Sequence, residues 1–287
     1  MLTLLHDASV TRLIQIALQE DIASGDITSE TTIPETARAR ASFLCKADGV
    51  ICGLPIGELV FRTLSDDVAW TAVAEEGSTV TKGTVVARVE GSAHALLAGE
   101  RTALNFMQRM SGVATMANAF AAAVQGTNAK ILDTRKTIPG WRRLDKYASQ
   151  VGGAVNHRMG LYDMIMIKDN HIAAAGSITK AIGACANVFA EGKVKIEVET
   201  TSLKDIEEVL ACGGVHRIMF DNFTPELMHK AVQLVNGAYE TEASGGITLD
   251  TVRAFAETGV DYISTGAITH SAKALDISMD IALAIIP

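Results

Sequence analysis

The sequence predicts an α/β protein: an incomplete α/β barrel of six or seven parallel strands, with an N-terminal α+β sandwich domain. Three observations predict it. From Lys130 onward, short apolar runs end in polar or small residues: ILDTRK, MIMIKDNH, VKIEVET, RIMFDN, YETEASGG and YISTGAITH. The residues closing these runs (Asp133, Lys168, Glu199, Asp221, Ser244, Gly266) stand 35, 31, 22, 23 and 22 positions apart, and helical patterns fill the intervals. Strand–helix units of this length make parallel strands with right-handed crossovers. Before residue 92 the texture differs, with short alternating stretches broken by glycine.

At the N-terminus, Val10, Leu13, Ile14, Ala17 and Leu18 recur at helical spacing, which predicts an amphipathic helix rather than a cleaved leader. That N-terminus predicts a cytoplasmic protein, and no apolar stretch approaches the roughly 18 residues of a membrane span. Residues 39–91 predict strands and turns, with antiparallel pairing suggested by the alternation in Thr84–Val89 and by Gly77, Gly83 and Gly91. Residues 92–124 predict helix with a break near Gly112. The barrel follows. TPELMHKAVQLVNG carries a helix cap at Thr224, Pro225 in the first turn and Gly237 past the end, and TSLKDIEEVLACGG and TLDTVRAFAETG share the layout. A seventh strand is expected if GGAVNHR contributes one.

The 287 residues carry a net charge of −8, which argues against general nucleic-acid binding. The charge is uneven. Residues 130–168 hold eight Lys/Arg against three Asp, a local +5 that suits a small anionic ligand. Arg142, Arg143 and Lys146 also fit a solvated basic helix face. The four cysteines, at 45, 52, 185 and 212, match neither a zinc pattern nor a disulfide framework and read as reduced thiols.

In a parallel barrel all strand C-termini open onto one face, where the chemistry sits. Arg135, Lys136, Lys168, Glu199, Asp221, Ser244 and Gly266 all lie at or just past such ends and should converge. With His157 and Arg158, the cations form a donor array for carboxylates or phosphates. Glu199 and Asp221 close adjacent strands and suit Mg²⁺ held with substrate oxygens, or stabilisation of a positively charged transition state. Glu197 lies on the same strand face as Glu199, and the residues alone do not separate the two. The small residues of ASGGI, with Ser244, Gly245 and Gly246, and of STGAITH, with Gly266, let backbone amides approach a phosphate.

The block DTRKTIPGWRRLDKYASQVGGAVNHRMGLYDMIMIKDNHI (133–172) resembles the quinolinate phosphoribosyltransferase family. The resemblance extends to EDIASGDITSE, GERTALNFMQRMSG, IEVETTSL, MFDNF, EASGGI and STGAITHSAKALDIS, nearly the whole chain. It implies transfer of the phosphoribosyl group of phosphoribosyl pyrophosphate (PRPP) to quinolinate with Mg²⁺, releasing pyrophosphate and CO₂ and forming nicotinate mononucleotide for NAD synthesis. It implies a sandwich domain over 1–110, a barrel domain over 111–270, and a C-terminal helix in 271–287 returning to the first domain. It also implies a homodimer with shared active sites.

Carried over by motif, Arg135, His157 and Arg158 would grip the quinolinate carboxylates, with Thr134 beside them in DTRKT. Lys136 and Lys168 would serve catalysis on the pyrophosphate side, with Asn170 and His171 nearby. Glu199 and Asp221 would hold ribose hydroxyls and metal, and Ser244, Gly245, Gly246 and Gly266 the 5′-phosphate. Arg101, which without the resemblance reads as a surface arginine, would reach in from the partner subunit. A molybdenum-locus relative of similar fold is disfavoured by the intact DTRKT, NHR and KDNH elements, and a non-catalytic nucleotide binder by the presence of both Glu199 and Asp221.

Overall fold

A computed structural model describes residues 2–5 and 7–284. Its strands are Arg38–Cys45 (β1), Gly49–Val50 (β2), Ala69–Ala72 (β3), Thr79–Val80 (β4), Val85–Ser92 (β5), Lys130–Leu132 (β6), Met164–Ile167 (β7), Lys195–Thr200 (β8), Arg217–Asp221 (β9), Glu240–Ser244 (β10), Tyr262–Ser264 (β11) and Ile277–Ala284 (β12). They fall into two compact units. The first takes in residues up to Asn118, Ile138–Gly152 and the segment from Ser271; the second takes in Ala119–Thr137 and Gly153–His270. Among the described residues no helix is long and apolar enough to cross a membrane.

The first unit is built on an antiparallel sheet ordered β12-β1-β5-β3. Along β1, Ala39, Ala41, Phe43 and Cys45 are buried while the alternate residues are not, the period of two that a half-covered sheet requires. Phe43 packs with Phe61 and Trp70, ring centroids 5.2–6.0 Å apart. The helix Ala8–Ile22 buries Val10, Ile14 and Leu18, the stripe its sequence spacing predicts, behind an Asp7 cap that accepts the Ser9 amide.

Four local expectations change here. The helix Leu54–Leu64 interrupts the stretch expected to hold only strands and turns; Pro55 in its first turn and the buried Leu54, Gly57, Val60 and Phe61 are its signature. Residues 93–123 form one unbroken helix. Gly112 does not break it, because glycine there serves close approach: a β-carbon would run into the Lys273 carbonyl. The expected C-terminal helix in 271–287 is instead strand β12, pairing antiparallel with β1 from Arg38↔Ala284 to Cys45↔Ile277. Buried Ile277 and Met279 alternate with Ser278 and Asp280, and the edge of β1 supplies the ladder; residues 285–287 of that expected helix lie outside the described residues. The helix Arg142–Val151 is not a solvated basic face: Lys146 is fully buried, and the buried Asp145 pairs with Arg109 at 3.1 Å.

The second unit holds a six-stranded parallel sheet ordered β6-β11-β10-β9-β8-β7. The seventh strand shrinks to a single bridge, Val155 to Leu132 beside β6, so the barrel is incomplete. Short helices cover the outside. Thr224 caps Pro225–Val235 through the Leu227 amide, and Ser202 and Asp205 form a reciprocal capping box on Leu203–Cys212. Facing those helices, Ile196, Val198, Ile218 and Phe220 are fully buried. The intervening side chains point into the barrel, and many are charged.

Candidate active site

The strand ends of the second unit enclose a cavity of about 590 Å³ lined by, among others, Thr134, Arg135, Lys136, His157, Arg158 and Lys168 on one side and Glu199, Asp221, Ser244, Gly245 and Gly246 on the other. These eleven residues, at or just past the strand ends, converge as parallel-strand geometry requires, and both signs of charge meet in one space.

Each side chain is placed by its strand. The buried Asp133 at the end of β6 accepts the His157 amide at 2.8 Å, which holds the 155–158 segment against the sheet. Lys136 follows a turn in which its amide donates to Thr134 Oγ1 at 3.0 Å, and its carbonyl accepts from Thr269 Oγ1 at 2.8 Å. Arg158 donates to the Met164 carbonyl at 3.2 Å. Burial first, and the neighbouring Arg135 guanidinium second, push Arg158 below the ordinary arginine range. Cations crowded in this way call for an anion.

Lys168 Nζ lies 2.5 Å from Glu199 Oε2, joining the basic half to the acidic half. Burial, and then Glu199, raise Asp221 above the ordinary carboxylate range, while Asn222 Nδ2 donates to its Oδ2 at 2.7 Å. Hard carboxylate oxygens from adjacent strands, one with its charge disfavoured, form a donor set that fits a divalent cation. Glu197 and Glu199 both face inward, and the structure separates them: Glu199 reaches the cavity, whereas Glu197 is fully buried one step deeper.

His157 lines the cavity with both ring nitrogens engaged. Nδ1 accepts the Arg158 amide at 2.6 Å, and Nε2 stands 3.1 Å from Glu197 Oε2 and 3.3 Å from Glu242 Oε2. A direct grip on substrate requires one of these to be released. Burial alone would depress its pKa, but Glu197 and Glu242 push it up to about 9. While Nδ1 accepts the Arg158 amide it carries no proton, so the cationic ring that the two carboxylates favour forms only when that bond is given up. Burial, and then Glu242, push Glu197 up to about 7, whereas Glu242 stays below its ordinary value because His157 and Arg217 overcome the cost of its burial.

The loop after β10 is built for close approach. Gly245 has φ +99°, and a β-carbon there would run into Asn222 Oδ1. Asn222, itself left-handed at φ 58°, donates its amide to the Ser244 carbonyl at 2.9 Å, tying the ends of β9 and β10 together. Gly266 does not line the cavity; it lies behind Lys136, whose Cδ would stand 2.8 Å from an added β-carbon. Nor do Asn170 and His171: His171 Nδ1 accepts the Lys168 amide at 2.9 Å in a capping box, and Asn170 is exposed beside it. Arg101 belongs to the first unit, where it is exposed and lines a cavity with Glu20, Asp21 and Trp141. Asn222 and Glu242 line the cavity and Arg217 lies against Glu242, three residues outside the sequence expectations. A signal existed: acids recur at every second residue in YETEAS, as in KIEVET.

Family models for quinolinate phosphoribosyl transferase match the chain twice, the N-terminal domain over residues 26–111 and the C-terminal domain over 113–280. The chain is 44% identical over 286 residues to a tobacco (Nicotiana tabacum) protein named quinolinate phosphoribosyltransferase [decarboxylating] 1b, covering 94% of this chain and 81% of the relative. It is also 44% identical over 279 residues to a probable nicotinate-nucleotide pyrophosphorylase [carboxylating] of Bacillus subtilis, covering 97% and 96%. The crystal structure of NadC from Streptococcus pyogenes superposes with TM-score 0.91 at 40% identity over 95% of this chain and 96% of that one. Near-complete coverage, matched domains in both halves and a mouth of paired cations and carboxylates lead to one conclusion: the chain belongs to the quinolinate phosphoribosyltransferase family.

Proposed function

We propose that this protein transfers the phosphoribosyl group of PRPP to the ring nitrogen of quinolinate and releases the 2-carboxylate as CO₂, giving nicotinate mononucleotide and pyrophosphate for NAD synthesis. The observation that carries the reading is the single cavity in which Arg135, Lys136, Arg158 and Lys168 face Glu199 and Asp221. Two anions that repel each other in water need such a frame to meet.

Arg135 and Arg158 hold the two carboxylates of the acid, with Thr134 beside them and His157 fixing the Arg158 backbone. Lys136 and Lys168 face the pyrophosphate. The backbone amides of Ser244, Gly245 and Gly246 receive the 5′-phosphate, whose approach the bare glycines permit. As the bond from ribose C1′ to pyrophosphate breaks, positive charge grows on the sugar, and Glu199 and Asp221 stabilise it. The pyridine nitrogen bonds to C1′ and becomes cationic. The ring then accepts the electron pair left at C2 when CO₂ departs, and C2 takes up a proton. Glu199 and Asp221 would also hold Mg²⁺, which when bound neutralises phosphate and pyrophosphate oxygens.

A homodimer with Arg101 entering the neighbouring site is part of this proposal. Arg101 is exposed beside the apolar Ile16 and Trp141, as a residue awaiting a partner surface would be. Arg101→Ala and Arg158→Ala proteins, each inactive, should recover towards about a quarter of wild-type activity after random subunit exchange, because half the dimers then hold one intact site of two. No recovery despite verified exchange removes Arg101 from the partner's site. Four free cysteines suit a reducing, cytoplasmic setting.

The reading is tested by incubating the protein with quinolinate, PRPP and Mg²⁺ and following nicotinate mononucleotide by mass spectrometry. Nicotinate, with one carboxylate, should be a poor substrate, because an arginine left without its anion costs roughly 3–5 kcal/mol. No product from folded protein, or equal kcat/KM for the two acids, contradicts it.

A further inference from the structure

Beneath the cavity the barrel interior holds a chain of buried charges that the reaction does not use. It runs inward from the surface, starting at the exposed Lys195, whose Nζ is 3.2 Å from Oε1 of the part-buried Glu240. Glu240 Oε2 is 3.1 Å from Arg217 Nη2, and Arg217 Nη1 donates to Glu242 Oε2 at 2.8 Å. That same oxygen faces His157, which also faces Glu197. The order follows from register, since Arg217 sits opposite both Glu197 on β8 and Glu240 on β10, four residues before Asp221 on its own strand. Tyr262 closes the layer, its ring 4.0 Å from the Arg217 guanidinium carbon.

Two fully buried carboxylates under a pocket for a dianionic acid are a liability, because repulsion through a poorly screened interior is strong. Few groups are placed to absorb it: His157 Nε2 stands 3.1 Å from Glu197 Oε2 and 3.3 Å from Glu242 Oε2, and Arg217 Nη1 donates to Glu242 Oε2. A metal ion could: donor atoms of His157, Glu197 and Glu242 lie within 4.8 Å of one another. Arg217, only 7% exposed, already places a guanidinium on Glu242, so the compensating cation is a side chain. Glu242 is the member of the chain that reaches the cavity wall.

We propose that Arg217 is a positioning residue for substrate affinity: without touching quinolinate, it cancels the charge of Glu242 at the cavity floor and keeps that floor from repelling the acid. The proposal rests on the assignment of this cavity to quinolinate. It makes a distinctive demand on the two partners of one ion pair. If the pair only supports the fold, losing either partner harms the enzyme in the same way. If it sets the potential of the floor, the two losses act in opposite directions.

The test is steady-state kinetics on the full-length enzyme with Mg²⁺, beside thermal melts, for Arg217→Met, Arg217→Lys, Glu242→Gln and the double variant Arg217→Met/Glu242→Gln. Arg217→Met should raise KM for quinolinate by about tenfold or more with kcat within about threefold. Arg217→Lys should restore most of the affinity. Glu242→Gln should leave KM for quinolinate unchanged or lower it, and the double variant should return within about threefold of wild type. A rise in KM for Glu242→Gln, or a double variant as poor as Arg217→Met, overturns the proposal, and Glu242→Gln alone decides if Arg217→Met does not fold. A wild type that fails to turn over quinolinate sinks the functional reading and this inference together. An active wild type with same-direction shifts sinks only the inference.

Discussion

The two sheets of this protein use their inward faces in opposite ways. In the antiparallel sheet, β1 turns Ala39, Ala41, Phe43 and Cys45 inward, and its charges stay outside, where Arg40 pairs with Glu90 at 2.8 Å and Arg38 with Asp67. In the parallel sheet the apolar residues of β8 and β9 face the covering helices, and the barrel interior receives Glu197, Glu199, Arg217 and Asp221. One face is a core that only has to exclude water. The other holds charges whose burial costs several kcal/mol each unless they are paired, a cost that stability alone would not select. Buried charge at a period of two along a strand therefore marks where the chemistry lies.

That contrast can be broken by substitution. Phe43→Ala, in the apolar core against Phe61 and Trp70, should lower unfolding free energy by about 3–5 kcal/mol in urea titration, while kcat/KM per folded molecule stays at the wild-type value. A specific loss of activity without loss of stability would mean that the first sheet is not merely scaffold. Glu199→Ala and Asp221→Ala should do the reverse. A kcat loss of roughly 10²–10³, or about 3–4 kcal/mol, is expected with the melting temperature held, and calorimetry should find quinolinate affinity largely spared. Weakened quinolinate binding at intact kcat would mean that the acidic and basic halves of the mouth have exchanged roles.

A smaller effect is expected from pH. His157 and Glu197 both have folded-state pKa values above their ordinary ones, at about 9 and about 7. A raised pKa contributes stability that is complete below the unfolded value and lost as pH rises through the folded one. The His157 contribution is thus whole below about pH 6.5 and disappears as pH climbs through about 9. Urea unfolding between those limits should show stability falling by about 1–3 kcal/mol, and His157→Gln should flatten the slope. A stability that is level or rising across that window would mean that the ring is not held cationic by its carboxylates.

The same contrast explains what could be read in the sequence. The parallel strands were legible because each apolar run stops at a polar residue and a capped helix follows, as at Asp221 before Thr224. Arg135, Lys136, Arg158, Lys168, Glu199, Asp221 and Ser244 were legible because strand ends must converge. Arg217 was hidden by the apolar Ile218 and Phe220 of its strand, and Glu242 by lying one layer below the residue that closes its run, although the alternating acids of YETEAS pointed to it. Asn222 was hidden because its role is conformational, in a left-handed turn that only the positions of Ser244 and Gly245 explain. The helix Leu54–Leu64 and strand β12 depend on partners distant in sequence, and Gly112 looked like a helix breaker until the chain packed against it was seen.

The central claim, that the charged mouth joins the two anions and couples that step to decarboxylation, is tested most directly with quinolinate labelled with ¹³C in its 2-carboxylate. With Mg²⁺ and PRPP, labelled CO₂ should be released one for one with pyrophosphate, and omission of PRPP should abolish the release, because the ring accepts the electron pair only after its nitrogen has bonded to ribose. Label released without PRPP, or pyrophosphate formed from quinolinate while the 2-carboxylate stays on the ring, would contradict it.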